Sequence, residues 1–104
     1  MMDQQELTRF AEDLFHADST RTPMRPLTES SPSLTPEQAY SVQTLFLEKK
    51  VARGAVMIGK KIGLTSRAIR QSLGVHEPDF GCLLSTMAVL DGGTIALSSL
   101  IQPK

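Results

Sequence analysis

Apolar residues recur with a helical period in two stretches of the chain and with a two-residue period in a third. Leu7, Phe10, Ala11, Leu14 and Phe15 stand at i, i+3, i+4, i+7 and i+8, one face of an amphipathic helix. Ahead of them, Asp3-Gln4-Gln5-Glu6 places a capping carboxylate three residues before an acid, a capping box in all but the hydroxyl. A helix over about residues 4 to 18 is predicted. Thr35-Pro36-Glu37-Gln38 is a stronger start signal: Thr35 caps, Pro36 gives up an N–H that has no partner anyway, and Gln38 closes the box. Ala39, Val42, Leu45 and Phe46 then share a face. Lys49, Lys50 and Arg53 gather where the helix dipole favours cations, and Gly54 is placed at C′. This second helix covers roughly 36 to 53.

Between the two helices, Asp18 to Leu34 contains Pro23, Pro26 and Pro32, many Ser and Thr, and no glycine. Prolines oppose a helix, so an extended connector laid over the surface is predicted. After Gly54 the pattern changes. Ala55-Val56-Met57-Ile58-Gly59-Lys60-Lys61-Ile62-Gly63 is rich in β-branched residues and reads as a strand. Alternation puts Val56, Ile58, Lys60 and Ile62 on one face and Met57, Gly59, Lys61 and Gly63 on the other. Thr65 or Ser66 caps a short helix reaching Leu73, which Gly74 ends. Val75 to Gly81 reads as a loop, Asp91-Gly92-Gly93 as a turn, and Thr94 to Leu97 as a short strand.

With 104 residues and 40% hydrophobic content, the chain suits one small domain and has no room for two independent cores. No apolar run approaches the ~18 residues that span a bilayer, and the acidic start MMDQQELTRF is unlike a secretory signal, so a cytoplasmic protein without a membrane partner is expected. Cys82 is the only cysteine, which excludes an internal disulfide and a multi-thiolate metal cage. Eleven basic and eleven acidic residues cancel, but unevenly. Eight acids precede Lys49, and the 28 residues from Lys49 to His76 hold seven cations and no acid. Such a stretch attracts anions, or it is simply a solvated surface. It contains no aromatic residue, which argues against nucleic acid and for a small carboxylate or phosphate.

Several motifs fail on their own chemistry. Gly54 to Lys60 has the outline of a phosphate-binding loop, but Lys61 stands where Ser or Thr must hold magnesium. Asp79-Phe80-Gly81 matches a kinase tripeptide in a chain too short for that fold. His16 and His76 read as surface histidines, and Cys82 as a small hydrophobe without a base partner. Lys61 with Asp79 is the more promising pair. A lysine buried among glycines loses hydration, and an aspartate in a Pro-Asp-Phe-Gly turn has little freedom. The alternative for the pair is a plain salt bridge between loop and strand.

Ala39-Tyr40 followed by Gln43, then Gly59-Lys60-Lys61-Ile62-Gly63-Leu64-Thr65-Ser66, then Gly74-Val75-His76-Glu77-Pro78-Asp79-Phe80-Gly81, and finally Leu100-Ile101-Gln102-Pro103 occur in that order. Together they resemble the N-terminal part of the 2-hydroxypenta-2,4-dienoate hydratases of the fumarylacetoacetate hydrolase superfamily. The resemblance covers essentially the whole chain. It implies an α+β fold: a helical cap over 1–54, with its connector at about 19–35, leading into the first strands of a mixed, β-rich core over 55–104 that is incomplete here. It implies a hydro-lyase of meta-cleavage aromatic degradation, converting 2-hydroxypenta-2,4-dienoate to 4-hydroxy-2-oxopentanoate, in a cytoplasmic homo-oligomer. By resemblance Lys61 and Asp79 are catalytic; Thr65 and Ser66, at a helix N-terminus, are read as placing the carboxylate of the small 2-oxo or 2-hydroxy acid, and Phe80 is taken as a further substrate-binding residue. A divalent magnesium or manganese ion is implied too, with its Glu-x-Glu ligands beyond Lys104, so no metal ligand is expected in this chain. Two further readings stay open: a 4-oxalocrotonate decarboxylase-like enzyme, and a non-catalytic module that binds a small anion or another subunit.

Overall fold

The computed structural model describes residues 3–104; Met1 and Met2, the start of the leader reading, lie outside them. The elements are α1 (Gln4–Thr20), α2 (Leu27–Ser30), α3 (Pro36–Ala52), β1 (Met57–Gly63), α4 (Arg67–Leu73) and β2 (Asp79–Leu84), followed by single 3-10 turns at Ser85–Met87 and Leu97–Ser99. They fall into two compact units, one of residues up to 54 together with 90–104, the other of 55–89.

In the first unit both helix starts form as their sequences require. The Asp3 carboxylate accepts from the Glu6 N–H at 2.9 Å while the Asp3 N–H donates to Glu6 Oε2 at 3.1 Å. Thr35 and Gln38 repeat the exchange at 3.2 and 2.9 Å, with Pro36 in the first turn. These reciprocal bonds satisfy N–H groups that a helix start otherwise leaves without partners. The helices pack through the predicted faces: Phe10, Ala11 and Val42 form the buried centre, and Leu7, Leu14, Leu45 and Phe46 close around it. Ala39, expected on that face, is exposed because it lies one turn before the packing begins.

The connector departs from expectation. Helix α1 runs on to Thr20, where Arg21 takes a left-handed conformation (φ 55°) and its N–H reaches back to the carbonyls of Ala17 and Asp18. A further turn of helix, α2, forms between Pro26 and Pro32. A proline is compatible with a helix that starts immediately after it, and four residues end before the next one interferes. Leu27 gives this turn its reason, since it packs against the Phe10–Val42 cluster.

In the second unit β1 and β2 form an antiparallel ribbon with Gly59 opposite Leu83, Lys60 opposite Cys82, Lys61 opposite Gly81, Ile62 opposite Phe80 and Gly63 opposite Asp79. The register shifts between Met57 and Gly59, so Ile58 is an extra residue and strict alternation begins only at Gly59. Beyond the shift, the Ser85 N–H donates to the Val56 carbonyl at 2.7 Å and the Val56 N–H to Ser85 Oγ at 2.9 Å. Asp79, Phe80 and Gly81, read as loop, are strand residues instead. Their partners are sixteen to twenty residues away in sequence, and no local signal announces them. The expected strand at Thr94 to Leu97 does not form, because no segment among the described residues pairs with it. Helix α4 is capped by Ser66 and ended by Gly74 at φ 71°, a conformation that costs glycine nothing.

Thr35→Ala is expected to lower the unfolding free energy by about 1 kcal/mol, and Thr35→Ser to leave it nearly unchanged. The check is a urea titration followed by helical circular dichroism.

Candidate active site

The ribbon decides which side chains meet. Alternation from Gly59 places Gly59, Lys61 and Gly63 on one face, joined there by their cross-strand partners Leu83, Gly81 and Asp79. Lys61 and Asp79 are therefore diagonal neighbours on that face, a relation that spans about 7–8 Å in an antiparallel ladder. Lys61 has a glycine on either side along its own strand and a third directly across. A Cβ added at Gly81 would find no atom within 4 Å, and one at Gly63 would only touch the Asp79 Cβ at 4.0 Å. The floor between the cation and the carboxylate is consequently bare backbone.

Lys61 is exposed. The sequence reading had it buried among glycines, but three residues without side chains have nothing with which to cover an ammonium. Nor is the simple salt bridge present: the ion pairs among the described residues join Arg21 to Asp18, Arg25 to Glu29, Lys49 to Glu12 and Lys50 to Asp18. Lys61 thus presents three donors and Asp79 two acceptor oxygens on one open face.

Lys60 and Phe80 point away from this pair. Each is one residue from a member of the pair, and one residue in a strand reverses the face. The structure accordingly does not bring Phe80, expected to bind substrate, to the Lys61 face; it sits across from Ile62.

Thr65 and Ser66 lie in the exposed turn after β1. The Ser66 hydroxyl accepts from the Ile69 N–H at 3.4 Å, so it caps a helix of only seven residues. Leu64 in that turn is left-handed (φ 54°), a state disfavoured for a residue with a Cβ by about 1–2 kcal/mol. Arg70, unremarked in the sequence, explains how it persists. One guanidinium nitrogen donates to the Leu64 carbonyl at 2.9 Å and to the Thr65 carbonyl at 3.0 Å, holding both oxygens toward the helix. Its spacing after Ser66 was the available signal, since i+4 places it one helical turn above the cap.

The basic stretch does not make one anion field. Lys49 and Lys50 pair with Glu12 and Asp18 of α1, Arg53 stacks 5.4 Å from the centre of the Phe15 ring, and Arg70 is engaged with backbone. His16 and His76 are exposed, and Cys82 is a half-buried free thiol across from Lys60. Among the described residues no three His, Cys, Asp or Glu side chains are grouped so as to hold a metal ion. The residues present do not fit a divalent-metal centre, and Asp79 alone would supply a single carboxylate. No helix among them is long and apolar enough to cross a membrane.

Arg70→Ala is expected to destabilise the chain by about 1–2 kcal/mol in thermal unfolding, since it removes two charge-assisted bonds, one of them part-buried, with Arg70→Lys recovering part of it.

No protein-family model matches the chain. Curated relatives do. The 2-keto-4-pentenoate hydratase of Paraburkholderia xenovorans is 39% identical over 103 residues, covering 99% of this chain and 38% of that protein. The 2-hydroxypent-2,4-dienoate hydratase of Pseudomonas putida is 38% identical over 104 residues, 99% of this chain and 47% of its own length. The 2-oxo-hept-4-ene-1,7-dioate hydratase of Escherichia coli is likewise 38% identical, with 39% of its length covered. The chain therefore spans less than half the length of these relatives. Among solved structures, 4-oxalocrotonate decarboxylase from Pseudomonas putida G7, complexed with calcium and acetate, superposes with a TM-score of 0.92 at 33% identity, covering 97% of this chain and 39% of that one. The same enzyme complexed with magnesium and adipate gives 0.81 at 30% identity. In sequence and in α+β fold alike, the chain is homologous to the N-terminal part of the 2-keto-4-pentenoate hydratases, within the fumarylacetoacetate hydrolase-like group.

Proposed function

We propose that this chain carries the proton-handling part of a hydratase that adds water to 2-hydroxypenta-2,4-dienoate or a close analogue. The observation that carries the reading is the placement of Lys61 and Asp79 on one glycine-floored face, in a chain homologous over its whole length to hydratases. The reaction needs two things from such a pair. The dienol loses its hydroxyl proton and gains one at C5, giving a 2-oxo-3-enoate. Water then delivers hydroxide to C4 and a proton to C3, and 4-hydroxy-2-oxopentanoate results. An ammonium is suited to lie against the substrate oxygens and donate, and a carboxylate to accept from and orient the attacking water. Thr65, whose exposed hydroxyl follows β1, is assigned to the substrate carboxylate, and Ser66 supports it by capping α4.

The neighbours crystallised with calcium and magnesium support a divalent metal in the complete enzyme. Its ligands would come from outside the residues described here, so no step is routed through it. A homo-oligomer in the cytoplasm is the assembly that goes with this reading. A decarboxylase is the second reading, favoured by the fold match to 4-oxalocrotonate decarboxylase; the hydratases' higher sequence identity weighs against it.

The test follows loss of the dienoate's ultraviolet absorbance in protein carrying this sequence, with magnesium or manganese and again with EDTA. Lys61→Ala and Asp79→Asn are each expected to reduce turnover a hundredfold or more. Lys60→Ala, on the other face, should leave it near the parent value. Carbon dioxide release from 4-oxalocrotonate without dienoate hydration would instead establish the decarboxylase.

A further inference from the structure

The Lys61 face has two different ends. Asp79 lies diagonally from Lys61 on one side, and Leu83 lies diagonally from it on the other. Leu83 stands across from Gly59, and its Cδ1 and Cβ come within 3.6 and 3.9 Å of where a Cβ on that glycine would be. The leucine therefore leans over a position that has no side chain of its own, and 39% of it stays open to solvent. Past it the ribbon continues with Ile58, Met57 and Leu84, and no cation follows on the ladder.

An acid lying along this face with its carboxylate toward Thr65 and its 2-oxygen at Lys61, Asp79 holding water beside it, would extend its remaining carbons toward Leu83. We propose that Leu83 is a specificity-determining residue for the substrate's far end, selecting a short apolar tail and rejecting a second carboxylate. This inference rests on the active-site reading above. The discrimination has two parts. An alkyl or vinyl terminus covers the exposed leucine and removes apolar surface from water. A terminal carboxylate in the same place gives up hydration without finding a cation.

Two unreactive acids with the same five-carbon skeleton separate these effects: 2-oxopentanoate, which ends in a methyl group, and 2-oxoglutarate, which ends in a carboxylate. Each is titrated into protein carrying this sequence, with magnesium present, while the Lys61 and Asp79 resonances are followed by NMR. The parent is expected to bind 2-oxopentanoate about tenfold or more tightly than 2-oxoglutarate, in line with discrimination by a single apolar contact. Leu83→Arg should reverse the order, and Leu83→Met should keep it. If Leu83→Arg does not fold, Leu83→Gln serves in its place and should narrow the difference.

Equal affinities in the parent, or a preference unchanged in Leu83→Arg and Leu83→Gln, would overturn the role of Leu83 while leaving Lys61 and Asp79 as the acid site. If neither acid moves the Lys61 and Asp79 resonances, the active-site reading fails and this inference fails with it.

Discussion

The pairing of Lys61 with Gly81 is the constraint on which the candidate chemistry depends. Side chains alternate along a strand, so a slip of one residue would turn Lys61 away and bring Lys60 forward on β1, or exchange Asp79 for Phe80 on β2. Either way Lys61 would lose its opposed carboxylate, and the lysine set beside Asp79 would be Lys60, flanked by Ile58 and Ile62 instead of glycines. The extra residue at Ile58 confines the irregular part of the ribbon to its far end and leaves the five pairs from Gly59 to Gly63 in regular register. Arg70 acts at the opposite end of β1, where it holds a left-handed leucine and so fixes how the strand turns into α4.

The helical unit rests on different physics. Its centre is small, with Phe10, Ala11 and Val42 buried and larger residues only partly covered. Around that centre, cations near the end of α3 meet acids and rings of α1: Lys49 with Glu12, Lys50 with Asp18, Arg53 over Phe15. These contacts lie at the rim, where ion pairs contribute modestly, and they steer the packing of the two helices more than they stabilise it. They also explain why seven cations in sequence do not make a continuous basic surface. Charge that looks unopposed in a linear window is opposed by α1, more than thirty residues earlier.

What could be read from the sequence follows from how local each signal is. Capping boxes at Asp3 and Thr35, the cap at Ser66 and the stop at Gly74 are settled within four or five residues, and all four form as written. The Lys61 face of β1 was also legible, because alternation within one strand is local. The strand character of Asp79 to Gly81 was not, since Pro-Asp-Phe-Gly has the composition of a turn and only pairing with β1 makes it extended. The single helical turn at Leu27 was hidden for a similar reason: it is stabilised by contact with the helical core, against the warning of two flanking prolines. Of the site residues, Lys61 and Asp79 meet on one face through a register that the sequence does not print, and Phe80 falls on the other through the same register.

Gly81 carries a consequence for how this protein can change. It lies in a strand, its backbone is not left-handed, and a methyl group there would meet nothing within 4 Å. Glycine in such a place makes the unfolded chain more disordered than alanine would, by roughly 0.5–1 kcal/mol. As far as folding is concerned, a bulkier residue is an improvement within easy mutational reach. The missing methyl is therefore a small loss of rigidity located directly across from Lys61. On the proposed reading, stability and ligand access compete there over a single hydrogen atom, and a lineage released from that binding would be free to drift toward the sturdier strand.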